Sequence, residues 1–206
     1  MTRPKFLSLM LVASLAAAPG AHAKQLKEST STGKSFAHRQ SPECGIARFA
    51  DLRPGLSRGG EPYEDGYSYL QKHGYKTVVS FLTNPAESTL AAQHGMKFIH
   101  IPIQSGPFSC QLPSDAQVKQ FLSVVTDTTL YPMYIHCHAG KDRTGAMSAI
   151  YRMEACGWTN DEAVQEMKAF GFAGRYKRLY NFVQTYTPHP ALAAAPADTV
   201  VTTTAP

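Results

Sequence analysis

From residue 46 to residue 186 the apolar positions follow two alternating rhythms. Residues 46–49 and 56–57 predict short strands, and residues 76–82 (KTVVSFL) are β-branched and apolar, as in a buried strand. Residues 96–103 (MKFIHIPI) alternate like a strand with Pro102 near the end, and residues 131–136 (YPMYIH) give another. Between these lie helical stretches. One runs from residue 62 to 72 and is closed by Gly74, and a short one follows Pro85 and ends at Gly95. Pro113-Ser114-Asp115 opens a third, whose Val118, Phe121, Leu122 and Val125 recur at helical spacing. A fourth covers residues 145–155 and stops at Gly157. Thr159 with Glu162 forms a capping box that starts a fifth, reaching about residue 170, and the last spans residues 175–186. Strands separated by helices predict an α/β fold with a central, mostly parallel sheet flanked by helices.

The ends of the chain read differently. Arg3 and Lys5 precede an apolar run over residues 6–18 that closes on Ala21-His22-Ala23, so residues 1–23 are expected to be a signal peptide and the protein to be exported, periplasmic or secreted. The run is too short to span a bilayer, and no later stretch approaches the roughly 20 apolar residues of a transmembrane helix. Residues 24–44 form an N-terminal extension, residues 45–186 a single domain, and residues 187–206, rich in Pro, Ala and Thr, a disordered tail.

The formal charge of +5 falls to +3 without Arg3 and Lys5, a mild bias toward anionic partners. No run of Lys and Arg suggests a nucleic-acid arm. Of the cysteines, Cys44 and Cys110 both fall in predicted loops and would be the pair to form a disulfide if Cys137 must stay a thiol, although spacing does not fix connectivity.

The chemistry concentrates in one stretch, His136-Cys137-His138-Ala139-Gly140-Lys141-Asp142-Arg143-Thr144-Gly145, set between an apolar strand and an amphipathic helix. A tight loop with glycines at 140 and 145 can turn its N–H groups inward, and the helix behind adds its unpaired N–H groups and positive dipole end. That makes an anion cradle. The planar guanidinium of Arg143 suits two phosphoryl oxygens at once, better than a lysine would. The same field favours the thiolate of Cys137, the nucleophile, and the hydroxyl of Thr144 is placed to assist departure of the sulfur from a phosphocysteine. The leaving oxygen needs a proton, for which Asp142 is the first candidate; Asp115 is the alternative, although capping already explains its place. Successive side chains on a strand point to opposite faces, which argues against His136, Cys137 and His138 as metal ligands, and no metal or cofactor is expected.

Residues 136–145 resemble the signature loop of the protein-tyrosine-phosphatase superfamily in its compact dual-specificity branch. The form HCxxGKDRTG is similar to phosphatases acting on phosphotyrosine and phosphoinositides and to phytase-like members, and residues 56–62 (LSRGGEP) resemble the family's strand entering the domain. The resemblance implies Cys137 as nucleophile, Arg143 as phosphate clamp, Thr144 as helper of the second step and His136 as a buried orienting group. Relatives often carry an aspartate on a mobile loop, whereas residues 104–112 here contain no acid, which supports Asp142.

Substrate-binding residues are expected to be His138, Ala139, Gly140 and Lys141, with Lys141 and His138 forming a basic rim. Such a rim suits a phosphorylated small molecule or lipid headgroup, an inositol polyphosphate or phosphoinositide first, with a phosphotyrosine protein as the alternative. A non-catalytic phosphate-binding module is the rival of another class; loss of Cys137, Arg143 or the acid would mark it, and all are present.

Overall fold

The computed structural model describes residues 34–39, 45–172 and 174–189. Its strands are β1 (Ala50–Arg53), β2 (Leu56–Gly59), β3 (Thr77–Ser80), β4 (Lys97–His100) and β5 (Met133–His136). The helices are α1 (Tyr63–Lys72), α2 (Glu87–Gln93), α3 (Asp115–Thr126), α4 (Arg143–Cys156), α5 (Asn160–Ala169) and α6 (Lys177–Gln184), with one 3-10 turn at Thr128–Leu130. The sheet order is β1-β2-β5-β3-β4. Only β1 runs antiparallel to its neighbour; the β2–β5, β5–β3 and β3–β4 pairs are parallel.

The register of the parallel strands aligns their ends. Gly59 pairs with His136, His136 with Ser80, and Ser80 with His100, so four strands end level in one row. Everything that leaves those strands, including residue 137, emerges along a single edge of the sheet.

The strands alternate between two cores, as a sheet covered on both faces requires. Met133, Ile135 and Val79 face the larger one, with Phe121, Met147, Ile150 and Leu179 from the helices behind. Tyr134 and Val78 face the smaller one with Tyr67, Leu70 and Ala91. Helix α4 runs through the larger core, buried from Thr144 to Glu154. Its Arg152 is held by a fork to Glu166 of α5 (Nε to Oε1 3.1 Å, Nη2 to Oε2 2.9 Å), and its Nη1 donates to the Leu52 carbonyl at 3.1 Å. The guanidinium also lies 4.4 Å over the Trp158 ring.

Most expected elements are present. Ser114 caps α3 in a box with Gln117, Thr159 caps α5 in a box with Glu162, and Gly157 ends α4 at φ 62°. The first strand is the correction: residues 46–49 are not one, and β1 begins at Ala50. Arg48 adopts φ 56°, which breaks an extended run, while Ile46 and Phe49 still enter the core. Part of the N-terminal extension packs on the domain: Phe36 meets Trp158 at 5.7 Å between ring centres, and the Ala37 amide donates to Glu166 at 2.9 Å. Cys110 is a buried free thiol, while Cys44, the signal peptide at residues 1–23 and residues 190–206 of the expected tail lie outside the described residues. Among those described, no helix is long and apolar enough to cross a membrane.

Removing one member of a buried ion pair strands the other in low dielectric. Glu166→Ala is therefore expected to lower unfolding stability by about 3 to 5 kcal/mol in urea titrations, with Arg152 left unpaired.

Candidate active site

β5 ends at His136, and the chain turns through residues 137–142 into α4. Gly140 sits at φ 65°, and a Cβ there would lie 2.5 Å from the Gly59 carbonyl carbon and 2.7 Å from the Gly60 nitrogen, so only glycine fits. Five successive carbonyls are engaged. The His138 oxygen accepts from the Glu61 amide at 3.0 Å, that of Ala139 from Arg48 Nη1 at 3.0 Å, and that of Gly140 from Arg58 Nη2 at 2.6 Å. Those of Lys141 and Asp142 accept from the amides of Gly145 (3.1 Å) and Ala146 (2.8 Å). A trans peptide sets its N–H opposite its C=O, so the amides of residues 139–143 turn the other way, where an anion would sit.

A cleft of about 360 Å3 opens over the loop, lined in part by Cys137, His138, Ala139, Asp142, Arg143 and Arg175. Cys137 lies at its base, only 3% exposed. Arg143 Nη1 donates to the carbonyls of Phe81 (3.1 Å) and Ile103 (3.2 Å), just beyond β3 and β4. One nitrogen thus fixes the guanidinium, which has two others to offer a phosphoryl group. Asp142 is buried at the N-cap position of α4. Burial pushes its carboxyl above the usual range, opposed by the cations Arg175, Lys141, Arg143 and Arg48, and Arg175 Nη2 approaches to 3.7 Å.

His136 is fully buried, as expected of an orienting group. It stacks on Tyr134, and its Nε2 lies 2.9 Å from Glu87 Oε1, an ion-pair distance at an angle that is not a hydrogen bond's. The Thr144 hydroxyl donates to the Gly59 carbonyl at 3.5 Å, an oxygen that the parallel β2 brings alongside the loop. One expectation needs correction. His138 Nδ1 pairs with Glu61 at 2.8 Å, so it is not a free basic charge on the rim. Lys141 is half-buried beside Asp142, where its charge acts. Asp115 does not line the cleft; its charge reaches Tyr186 instead. His100 Nε2 donates to the Leu82 carbonyl (2.7 Å), a structural partner.

Above the cleft, residues 104–111 close into a tight hairpin. Ser105 bridges Cys110, and the amides of Gly106 and Gln111 each donate across at 2.8 Å to Ser109 and Gln104. The Tyr176 hydroxyl donates to the Gly106 carbonyl at 2.8 Å, and Phe108 at the tip is 95% exposed. Arg48, Arg58 and Glu61 also support the site and are not among the residues expected from sequence. Glu61 and Arg58 were legible as polar members of the LSRGGEP stretch, whereas nothing near Arg48 marked it.

This fold and loop define a cysteine-dependent phosphatase of the protein-tyrosine-phosphatase type. Residues 46–182 match the family described as "DSP-PTPase phosphatase fused to NAD+ Kinase", and the chain belongs to it. It is 27% identical over 169 residues to the dual specificity protein phosphatase TpbA of Pseudomonas aeruginosa PAO1, covering 81% of this chain and 73% of that protein. With the TpbA of strain UCBPP-PA14 the match is 28% identical and spans 67% of this chain and 60% of that protein. It is 29% identical to inositol diphosphatase DSP2 of Oryza sativa subsp. japonica over 50% of this chain and 52% of that protein. Among solved structures, P. aeruginosa TpbA superposes with TM-score 0.60 at 26% identity, over 72% of this chain and 89% of that one. The PP-IP phosphatase SIW14 core from S. cerevisiae shares the fold at TM-score 0.58 and 20% identity, over 68% of this chain and 85% of that one.

Because a Cβ at 140 would collide with backbone, Gly140→Ala is expected to weaken tungstate binding at least tenfold by calorimetry, while the far-ultraviolet circular dichroism stays that of the parent.

Proposed function

We propose that the protein removes phosphate from multiply phosphorylated small molecules or lipid headgroups, inositol polyphosphates or phosphoinositides, through a phosphocysteine on Cys137. The thiolate attacks phosphorus, the S–P bond forms as the P–O bond breaks, and the departing oxygen takes the proton of Asp142. Water then attacks the phosphorus while the Asp142 carboxylate accepts its proton. The S–P bond breaks, and inorganic phosphate leaves with the thiolate restored. Throughout, Arg143 and the inward amides hold the phosphoryl oxygens.

The observation carrying the substrate class is Arg175, a second cation that lines the cleft with Arg143 and stands 3.7 Å from Asp142, with the charges of Lys141 and Arg48 adding to the positive field there. A single phosphate needs the cradle and Arg143; cations outside it suit further phosphates on the same molecule. That relatives of about half coverage are named inositol diphosphatases supports this reading. A second reading, a phosphotyrosine protein, is favoured by Phe108, an apolar ring on the lip beside Pro107 that suits an aryl group, and a TpbA structure was solved in complex with pTyr. Export, to the periplasm or beyond, is part of the proposal and rests on the pattern of residues 3–23.

Comparison of kcat/KM across inositol phosphates, phosphoinositides and phosphotyrosine peptides tests the substrate. The inositol compounds should lead, and Lys141→Ala with Arg175→Ala should cost them more than para-nitrophenyl phosphate; a clear lead for the peptides would reverse the order. Cys137→Ser should abolish turnover of every substrate.

The acid has its own signature. Asp142 must be protonated to donate, so the rate falls as pH rises through its titration, and burial displaces that fall to higher pH. Asp142→Asn is expected to erase the basic limb and to cost about 100-fold with an alkyl phosphate, but far less with para-nitrophenyl phosphate, whose leaving group needs no proton.

A further inference from the structure

The strand that enters the domain carries a cation the catalytic scheme does not use. Arg58 on β2 is wholly buried, one residue before the row where four strands end. Its Nη2 donates to the Gly140 carbonyl at 2.6 Å and its guanidinium carbon lies 4.1 Å over the Phe170 ring, while Nε and Nη1 are buried without a hydrogen-bond partner. Burial pulls it down to about 10, still well above neutrality, so the charge persists.

Charge balance around it is uneven. The groups acting on it are Glu166 of α5, Arg152 of α4, Tyr134 of β5 and Cys137. Both oxygens of Glu166 are already gripped by Arg152. Two buried cations therefore share one carboxylate, and buried charge without a counter-charge is costly. Ile135, the register partner of Arg58, and Cys137 two residues further on belong to the same buried cluster, so a thiolate at Cys137 would add a second negative charge on the side of the sheet where Arg58 lies.

We propose that Arg58 is a positioning residue with two effects: it is the standing counter-charge of the Cys137 thiolate from beneath the loop, and it holds the cradle in shape through the Gly140 carbonyl. Ionising Cys137 then relieves an imbalance instead of creating one, before any substrate arrives. Arg143 remains free to meet the phosphate. Other groups set against the sulfur are Asp142 and Arg143 across the cleft, Cys110 on the hairpin, and His136 and His138 on either side in the chain.

The inference rests on Cys137 as nucleophile, and its test reads the sulfur without turnover. The pH dependence of Cys137 alkylation by iodoacetamide, followed by mass spectrometry of its peptide, would be compared for the parent, Arg58→Met, Arg58→Lys and Arg58→Gln, with kcat/KM for para-nitrophenyl phosphate alongside. Arg58→Met is expected to raise the alkylation midpoint by about one pH unit, a tenfold loss of thiolate, and to lower kcat/KM about 100-fold, as loss of a preorganised donor does. Arg58→Lys should restore the midpoint but only part of the turnover, since an ammonium lacks the planar fork that stacks on Phe170. A folded Arg58→Met protein with the parent's midpoint overturns the proposal. Should that variant not fold, Gln against Lys decides: equal midpoints overturn it, and a higher midpoint for Gln supports it. If the phosphatase reading itself failed, activity would be absent from the parent while the alkylation midpoints still answered the question.

Discussion

The whole site depends on where five carbonyl oxygens go. A loop that is to surround an anion with amides must send its C=O groups elsewhere, and in a protein interior each needs a donor. Here the donors are two arginines, one amide from the segment after β2, and the first turn of α4. Without them the loop could relax toward its own carbonyls, and the cavity would repel phosphate. The level ends of β2, β5, β3 and β4 make this arrangement available, since they bring Gly59, Phe81 and the loop to one edge of the sheet. Arg143 is fixed by carbonyls from that same edge, so cradle and clamp share one foundation.

The same constraint explains an unusual interior. Helix α4 carries Thr144, Ser148, Arg152 and Glu154 through the larger core, where apolar residues would be cheaper to bury. Arg152 and Glu166 satisfy one another, the Leu52 carbonyl takes a further N–H, and the N-terminal strap closes over the pair through Phe36 and the Ala37 amide. Buried ion pairs of this kind add little net stability, yet they penalise any rearrangement that separates them. A core built so holds α4 in one position, and with it the loop at its N-terminus.

The sequence made the elements legible where pattern and capping agreed. Residues 113–125 announced both the start and the buried face of α3, and Thr159 with Glu162 set the start of α5. It failed where a residue's conformation was decided by a distant partner. Arg48 looks like part of an extended run, but its φ of 56° accompanies a bond to Ala139, 91 positions away, and no local rule encodes that. Within the site, Cys137, Arg143 and Gly140 stood out because phosphate chemistry calls for those residue types at that spacing, and the structure sets Cys137 and Arg143 in one cleft and Gly140 at a position only glycine fits. The pairing of His138 with Glu61 and the direction of the Thr144 hydroxyl were not legible, because each depends on how β2 lies against β5. LSRGGEP stood out as a motif, but its arginine acquires meaning only with Gly140 and Phe170 in place.

Chemistry and recognition are carried by different parts of the molecule. Cys137, Arg143 and the supporting arginines stand on the sheet and on α4, whose partners leave them little freedom. Phe108, Pro107 and Arg175 stand on the hairpin over the cleft and on the segment before α6, joined mainly by the Tyr176 hydroxyl on Gly106. Changes on the lip can alter which phosphorylated molecule enters without disturbing the carbonyl network below. Asp142 is where the two parts meet: its backbone belongs to the start of α4, while its carboxyl faces Arg175 across the opening. A substrate that draws Arg175 toward its own phosphates would take away part of the field that favours the Asp142 carboxylate. On the scheme proposed above, Asp142 would then hold its proton more firmly with such a substrate bound than without it, and that substrate would help to keep the proposed acid loaded until the bond to its leaving oxygen breaks.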